Sequence, residues 1–373
     1  MKNISLLIDG DYPDGNKKNA RIKAYHNGLV NFGWNCKIIL ISPTRFQREE
    51  KTKLDDVIYL TGDFRYRNNR IARYYQLIHG IFNSLVYITK LKKGEYVYFY
   101  NPTFFSSIYT LILARIRGVK IVVDQTEIYS LNRYRFLNKI AEYISARMAN
   151  IILAISINID QHFKNLGAKQ IFRFPIMVDV ERFNIDVKPN KQLIGYIGSF
   201  GPKDGIDFML RGFKQAQIKI PNLKLRLIGY NLEFIDLKKV IAEYDLENSV
   251  ELTGKVEYED IPRLLMECDT LIMNRTSSRY ASFGYPIKLG EYFACKRPVL
   301  MSSGVGFSKD YEHLNEAIKY KIDDLKSFSE AILWRFNNNE KSTAIADNGY
   351  NYSCQNFDSF NQVKKLTTIL ENL

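Results

Sequence analysis

The residues best suited to bind an anion lie in one segment, where a predicted strand leads through a polar loop into a short helix. Arg275 lies in the loop and supplies a fixed positive charge. The Gly284-Tyr285 turn can bring backbone N–H groups close to an anion. Pro286 suits the first position of the helix that follows. Because a helix N-terminus carries free N–H groups and the positive end of the dipole, this segment predicts a phosphate site.

Two charged side chains follow on the same face of this predicted helix, Lys288 and Glu291. A lysine in the first turn opposes the helix dipole, so its presence there is easier to explain if an external phosphate lies in front of it. The alternative is an ordinary i, i+3 ion pair on a surface helix, and the sequence leaves both interpretations open.

The same segment resembles the donor site of the family-four retaining glycosyltransferases, which have the GT-B fold. The resemblance is carried by Pro286-Ile287-Lys288-Leu289-Gly290-Glu291-Tyr292 and by the run from Ala294 to Val299, a pattern typical of bacterial polysaccharide and capsule-type members. It implies that Glu291 accepts hydrogen bonds from the ribose hydroxyls of a nucleotide sugar. It also implies that Lys288 and Arg275 face the diphosphate.

The resemblance extends in order along nearly the whole chain. In the second half it covers Leu193–Gly198, Ser199–Gly205, Leu225–Gly229 and Val250–Val256, and in the first half Gly10–Arg21, Ile155-Ser156 and Pro175–Phe183. Besides Glu291, it implies donor contacts for Gly198, Ser199, Lys203, Gly229, Val256, Gly284, Tyr285 and Leu289. It implies an acceptor-side loop containing Asp14, Gly15, Asn16 and Arg21.

The chain departs from the family pattern at several positions. Phe283 stands where many members have a first glutamate, and Ser199 and Asp204 replace the common Arg and Lys of the first loop. Thr126 replaces a histidine often found in the first domain. These departures leave Lys203, Lys288 and Arg275 to neutralise the diphosphate. They also leave the identity of the sugar open.

The reaction implied by the resemblance needs no dedicated base. A retaining transfer on one face lets the leaving phosphate oxygen accept the acceptor's proton, while Lys288 and Arg275 stabilise the departing diphosphate. Glu127 is the remaining carboxylate suited to the acceptor side, although it could equally cap a local loop. No acidic Asp-x-Asp motif sits at a strand end, and the four histidines form no cluster. We therefore expect neither a metal nor another cofactor.

Short apolar runs alternate with amphipathic stretches, which predicts βαβ units around mostly parallel sheets. Predicted strands cover residues 4–8, 37–41, 57–60, 96–100, 120–123, 151–155, 193–197, 224–228, 250–252, 270–273 and 298–301. The polar break at residues 187–191 divides them into two sets. We predict an α/β protein with two facing Rossmann-like domains of the GT-B type and a ligand cleft between them.

Three segments follow from that division and from the resemblance. Residues 1–187 form an N-terminal acceptor-side domain, and residues 188–355 form the C-terminal nucleotide-sugar-binding domain. Residues 356–373 form a C-terminal helix that packs back on the first domain.

The composition and net charge of the chain narrow the classes of molecule that it could bind. Hydrophobic residues make up 46% and charged residues 25% of the 373, which is typical of a globular protein. The net charge of +13 favours phosphorylated substrates or an anionic membrane surface, with solvated helix faces as the alternative. No nucleic-acid reader motif accompanies the charge. Scattered cysteines and the absence of an N-terminal signal or a spanning segment predict a cytoplasmic protein, peripheral at most on the inner face of the plasma membrane.

The predicted function is transfer of a sugar from a UDP- or GDP-linked donor to a hydroxyl acceptor, and the resemblance suggests a lipid-linked saccharide in surface polysaccharide synthesis. One rival is a dinucleotide-dependent oxidoreductase, but Gly10–Gly15 and Gly198–Gly205 lack the G-x-G-x-x-G spacing. The other rival is an inactive GT-B-like scaffold in a membrane-associated assembly, which the departures at Phe283, Ser199, Asp204 and Thr126 keep open.

Overall fold

The computed structural model describes residues 2–9, 12, 17–41, 56–60, 70–131, 134–230, 236–277 and 284–373. The chain forms two compact units. The first contains Met1–Pro175 together with Gln362–Leu373, and the second contains Ile176–Asn361. Asp14, Gly15, Asn16 and Phe283 lie outside the described residues.

The first unit is built around a seven-stranded parallel sheet. Its strands are β1 (Asn3–Ile8), β2 (Asn35–Leu40), β3 (Val57–Tyr59), β4 (Tyr96–Tyr100), β5 (Lys120–Gln125), β6 (Ile151–Ala154) and β7 (Ile171–Arg173). Its helices are α1 (Lys17–Asn31), α2 (Arg70–Lys90), α3 (Ile108–Ile116), α4 (Arg135–Met148) and α5 (Ile157–Asn165). The strand order is β3-β2-β1-β4-β5-β6-β7. The central strands are apolar along their length because helices cover both faces of such a sheet.

The second unit contains a six-stranded parallel sheet. Its strands are β8 (Asn190–Ile197), β9 (Lys224–Ile228), β10 (Val250–Gly254), β11 (Cys268–Met273), β12 (Val299–Ser303) and β13 (Ile318–Lys321). Its helices are α6 (Ile206–Gln217), α7 (Leu237–Glu243), α8 (Ile261–Met266), α9 (Ile287–Ala294), α10 (Leu325–Asn337) and α11 (Asn339–Asn356), and α12 (Ser359–Glu371) then ends the chain. The strand order is β10-β9-β8-β11-β12-β13.

Each sheet has one point where the strand order reverses, between β1 and β4 in the first unit and between β8 and β11 in the second. In open α/β sheets, ligands bind beyond the carboxyl ends of the strands at this switch point. The loops after β8 and β11 are therefore the places to look for a ligand site in the second unit. In the first unit, the described part of the loop after β4 lies at the corresponding switch point.

The boundary between the units falls at 175/176, whereas the sequence placed it at 187/188. Residues beyond 175 already belong to the second unit, since Val178 N donates to Phe357 O at 2.9 Å and Arg297 holds the Val187 carbonyl at 3.0 Å. At the other end, the first unit takes the chain from Gln362 instead of from residue 356. Tyr96 binds the Leu370 carbonyl at 2.7 Å there.

Candidate functional site

The second unit brings two strand ends into close backbone contact beside the switch point. Gly198 follows β8 and Gly229 follows β9, and Gly198 N donates to Ile228 O at 2.9 Å. Gly229 has a φ of +130°, and a Cβ added to it would lie 2.0 Å from the Gly198 carbonyl oxygen. Only glycine fits this position, because it tolerates the conformation and leaves room for the neighbouring strand end.

A short turn after β8 fixes the carboxylate of Asp204. The backbone N–H of Gly201 donates to Asp204 Oδ2 at 3.3 Å. Asn274, which follows β11, donates to the Asp204 carbonyl at 2.9 Å and is itself held by the Tyr320 hydroxyl at 2.6 Å. Asp204 is therefore positioned by both loops of the switch point.

Two cations converge on this carboxylate. Arg275 donates to Asp204 Oδ1 through Nη1, and Lys288 Nζ lies 3.5 Å from the same oxygen. Lys288 also donates to the Tyr196 hydroxyl at 2.6 Å and lies 4.0 Å above the Tyr196 ring. The exposed fractions of Asp204, Arg275 and Lys288 are 2%, 7% and 7%. The site is thus a buried cluster with two positive charges and one negative charge.

The pKa of Asp204 follows from this environment. Burial alone raises the pKa, but the charges of Lys288 and Arg275 and the hydrogen bond from Tyr196 together outweigh burial and lower it. The carboxylate is consequently ionised at neutral pH and serves as the anion facing both cations.

The helix α9 begins at Ile287, with Pro286 as its N-cap in an extended conformation. The prediction that Pro286 occupies the first helical position was therefore wrong by one residue, because its ψ of 115° is not helical. Lys288 is buried, so it does not lie on the exposed helix face where the alternative of an i, i+3 pair with Glu291 placed it.

Several donor residues implied by the resemblance lie in different surroundings. Leu289 is fully buried, and the buried Tyr285 shares a hydrogen bond with the Tyr311 hydroxyl. Burial does not distinguish them from Lys288 and Arg275, which are also buried, so their contacts with a donor stay predictions. Among the described residues, no atom lies within 4 Å of a Cβ built on Gly284.

The loop after β8 also contains Ser199, which is half-buried, and Lys203, which is exposed. The Lys203 carbonyl accepts a hydrogen bond from Thr276 N at 3.2 Å. Burial raises the pKa of Asp204, and the charge of Lys203 helps to lower it, although less than the charges of Lys288 and Arg275 do. The contacts of Ser199 and Lys203 with a donor stay predictions.

Glu291 is half-buried on α9 and lies beside the segment after β10. Burial raises the pKa of Tyr258, and the charge of Glu291 raises it further, whereas Arg182 lowers it. Arg182 lies 3.7 Å above the Tyr258 ring and donates to its carbonyl at 2.6 Å. Val256, two residues before Tyr258, is half-buried. The sequence did not single out Arg182 or Tyr258, since no motif marks their pairing.

Arg21 is buried in the first unit and does not line an acceptor surface. Its guanidinium binds both oxygens of Asp124, at 2.6 and 3.1 Å, and donates to the Phe174 carbonyl at 3.0 Å and to the Pro175 carbonyl at 2.5 Å. Tyr98 donates to the same carboxylate. The predicted acceptor-side role of Arg21 is therefore corrected to a structural one, because its donors already have partners inside the unit.

Glu127 follows β5 and is half-buried. The neighbouring Thr126 hydroxyl accepts a hydrogen bond from Asn101 Nδ2 at 2.7 Å, and Thr126 N donates to Asn101 Oδ1 at 2.7 Å. Burial raises the pKa of Tyr100 to about 12, and the charge of Glu127 contributes to this rise. The carboxyl ends of β4 and β5 thus form a polar cluster next to Glu127, whose catalytic role stays a prediction.

Similarity to known proteins follows the same division of the chain. Residues 177–352 match the family described as "Glycosyl transferases group 1". An uncharacterized glycosyltransferase of Methanocaldococcus jannaschii is 24% identical over 162 residues, 42% of each chain. The amylovoran biosynthesis glycosyltransferase AmsK of Erwinia amylovora is 27% identical over 140 residues, 36% of this chain and 34% of AmsK. The chain thus spans less than half the length of these two curated relatives.

Solved structures are similar over the whole chain. HepE of Anabaena, solved in complex with UDP, is 17% identical with a TM-score of 0.75, covering 100% of both chains. A glycosyltransferase of Rickettsia africae is 14% identical with a TM-score of 0.75, covering 100% of this chain and 98% of its own. The protein therefore has the GT-B fold, with two α/β domains and parallel sheets. Within it, residues 177–352 are the part that is similar to the group 1 glycosyl transferases.

Proposed function

We propose that this protein transfers a sugar from a nucleoside-diphosphate sugar to a hydroxyl acceptor. The observation that supports the proposal best is the convergence of Arg275 and Lys288 at the β8/β11 switch point of the domain matched by the family. A leaving nucleoside diphosphate needs fixed positive charge where its own negative charge develops. Arg275 and Lys288 are held by the interior of the domain and can provide that charge from fixed positions.

In this reaction, the bond between the anomeric carbon and the diphosphate oxygen breaks, and the acceptor oxygen forms a bond to the same carbon. We propose retention of configuration, with the departing phosphate oxygen accepting the acceptor's proton. Lys288 and Arg275 stabilise the diphosphate, Glu291 accepts hydrogen bonds from the ribose, and Gly198, Ser199 and Lys203 border the phosphates. Glu127 is the carboxylate on the acceptor side of the reaction.

The donor nucleotide in our proposal is UDP or GDP. The structures of HepE with UDP and with UDP-glucose support a uridine nucleotide as the first candidate to test. The acceptor we propose is a lipid-linked saccharide in surface polysaccharide synthesis. The similarity to the amylovoran biosynthesis glycosyltransferase AmsK supports the biosynthetic context and leaves the acceptor itself a proposal.

We further propose that the first unit contacts the inner face of an anionic membrane. On α2, the exposed side chains of Tyr75, Ile78, Phe82 and Val86 recur at spacings of three and four and so share one helix face. The net charge of +13 favours acidic headgroups over a neutral surface. Among the described residues, no helix is both long enough and apolar enough to cross a bilayer.

Sedimentation with vesicles tests the membrane proposal. At low salt the protein should sediment with vesicles containing phosphatidylglycerol, and Phe82→Asp should remain in the supernatant. High salt should release the wild type, because screening weakens the attraction. Equal sedimentation with neutral vesicles would contradict an electrostatic contribution. A concentration-dependent dimer that Phe82→Asp disrupts would indicate that a second copy covers this face instead.

We propose that the transfer needs no metal. In the described part of the chain, no three His, Cys, Asp or Glu side chains are grouped so that they could hold a metal ion. Transfer should therefore continue at an unchanged rate in excess EDTA. A loss of activity in EDTA that is reversed by Mg²⁺ or Mn²⁺ would refute the proposal that no metal is needed.

Nucleotide binding tests the central proposal. UDP or GDP should raise the melting temperature of the wild type, and Glu291→Ala should abolish the shift. Glu330→Ala is a matched control, because Glu330 is an exposed helical glutamate on α10 that pairs only loosely with Lys326, at 3.9 Å. A donor screen that measures released nucleoside diphosphate with a mixed lipid extract then identifies the sugar.

The second candidate is an inactive GT-B scaffold that serves a membrane-associated assembly. The observation that favours it is the carboxylate of Asp204 among the cations proposed to bind phosphate. A panel of nucleotides that leaves the melting temperature unchanged would support this scaffold role over the enzyme.

A further inference from the structure

The charged cluster at the β8/β11 switch point already contains an anion. Asp204 contacts the same two cations, Arg275 and Lys288, that we propose for the diphosphate, and all three side chains are buried. Two buried cations without a counterion would be strongly unfavourable, because each loses its hydration. The carboxylate therefore supplies, inside the protein, the negative charge that a phosphate would otherwise supply.

The position of this anion is built into the fold. Gly201 N–H donates to its Oδ2, and Asn274 holds the backbone carbonyl of the same residue. The loops after β8 and β11 thus fix Asp204 from both sides of the switch point. A phosphate that approaches Arg275 and Lys288 must either displace the carboxylate or bind next to it, and both cases involve an energetic penalty.

We propose that Asp204 is an internal counterion that competes with the donor's phosphates for Arg275 and Lys288 and thereby sets the affinity for nucleoside diphosphates. This inference rests on the proposed function. Asp204 stands where the family pattern has a lysine, and its residue type alone suggested only that one phosphate contact is lost. The inference gives Asp204 a role of its own in setting nucleotide affinity.

The competition acts more strongly on the product than on the donor. Cleavage of the sugar exposes a further ionisable oxygen on the terminal phosphate, so the free nucleoside diphosphate carries more negative charge than the nucleotide sugar. Repulsion by a fixed carboxylate grows with that charge. Asp204 consequently favours release of the product after transfer and limits inhibition by it.

Calorimetric titration of UDP and GDP into the wild type and into Asp204→Asn tests the proposal. The variant keeps the shape of the side chain and removes its charge, so the dissociation constant should fall by about tenfold to a hundredfold. The inhibition constant of the nucleoside diphosphate in a transfer assay should fall in parallel. An unchanged or larger dissociation constant in a folded variant would overturn the inference.

Asp269→Asn is the matched control. Asp269 pairs with the buried Arg335 at the opposite end of β11, ~20 Å from Arg275 at about 3.3 Å per residue. Asp269→Asn therefore also deletes a carboxylate that pairs with a buried arginine. Unlike Asp204, however, Asp269 lies far from the proposed phosphates. This variant should lose stability without any change in nucleotide affinity, and an equal gain in both variants would overturn the inference.

A second pair of variants covers the case in which Asp204→Asn does not fold. Lys288→Gln leaves one cation and one anion, whereas Asp204→Asn combined with Lys288→Gln restores the net positive charge of the cluster. If Asp204 competes with phosphate, the double variant should bind the nucleotide at least about tenfold more tightly than Lys288→Gln alone. Equal affinity in the two variants would mean that Asp204 is merely structural.

These outcomes separate the two proposals. If the wild type binds the nucleotide in a Glu291-dependent way and Asp204→Asn binds no tighter, the proposed function stands and the counterion does not. If neither the wild type nor Asp204→Asn binds UDP, GDP or their sugar conjugates, the proposed function itself fails.

Discussion

Each unit contains a buried aspartate paired with arginine, but the charge balance of the two pairs differs. In the first unit, Arg21 binds both oxygens of Asp124, and two backbone carbonyls accept its other donors. One cation thus meets one anion, and the guanidinium is enclosed. In the second unit, Asp204 meets two cations, Arg275 and Lys288. Counted over these partners, the first cluster has one cation for one anion, and the second has two cations for one anion.

The difference separates a structural ion pair from a ligand site. A neutral, fully hydrogen-bonded pair gains nothing from an external anion and holds adjacent segments together. A cluster with excess positive charge at a switch point has both the location and the electrostatic field that attract a phosphate. Burial alone does not distinguish the two, because all five side chains are buried. Charge balance and position in the sheet do.

The largest expected effect is on the stability of the protein when the Arg21–Asp124 pair is broken. Arg21→Met leaves Asp124 as a buried carboxylate without its cation, which should lower the free energy of unfolding by about 3–5 kcal/mol. Urea unfolding followed by circular dichroism measures the change. Replacing both partners, with Arg21→Met and Asp124→Leu, should recover much of the loss. A loss below about 1 kcal/mol for the single variant would contradict a structural role for Arg21.

Substitution of Lys288 in the second cluster should change the free energy of unfolding less but lower the transfer rate strongly. Lys288→Met leaves Asp204 and Arg275 as a one-to-one pair, so the domain should stay folded. The transfer rate should nevertheless fall by on the order of 10²–10³, because one charge facing the leaving diphosphate is lost. Steady-state kinetics with the identified donor measures this, and Lys326→Met on the exposed face of α10 is the control. Normal activity in Lys288→Met would remove the distinction between the clusters.

The fold could largely be predicted from the sequence because buried parallel strands are short apolar runs between amphipathic helices. The failures have physical reasons. Ile171–Arg173 and Ile318–Lys321 were not predicted because they are short edge strands, and edge strands need not be continuously apolar. The helix Asn339–Asn356 was also not predicted, since it is rich in Asn and contains Gly349, and such residues are weak helix formers.

The site was predicted in part. The spacing of Lys288 and Arg275 indicated cations near a strand end, and the structure brings these two side chains to one carboxylate. The sequence could not indicate that this carboxylate is Asp204, because the pairing joins residues 71 positions apart through tertiary structure. For the same reason Arg21, assigned from its place in a loop segment, lies inside the first unit. Local pattern locates charged residues, whereas their partners depend on how the sheet assembles.

The smallest expected effect is on the pH dependence of stability, and it sharpens the comparison at Asp204. The pKa of Asp204 in the folded protein is lowered, since its two cations outweigh the opposing effect of burial. Its contribution to stability is therefore fully present above the unfolded-state pKa of about 4 and is lost as the pH falls through the lower folded-state value. Wild type should exceed Asp204→Asn in stability at pH 7, by about 1 kcal/mol or more, and this gap should close below about pH 4.

Urea unfolding of both proteins between pH 7 and pH 3 measures the gap. Asp269→Asn, tested in parallel, shows how much of any closure comes from the general loss of carboxylate charge in acid. If the wild type and Asp204→Asn lose stability in parallel across this range, Asp204 does not act as an ionised partner of Arg275 and Lys288. The second cluster would then have no internal counterion, and a phosphate would meet both cations without competition.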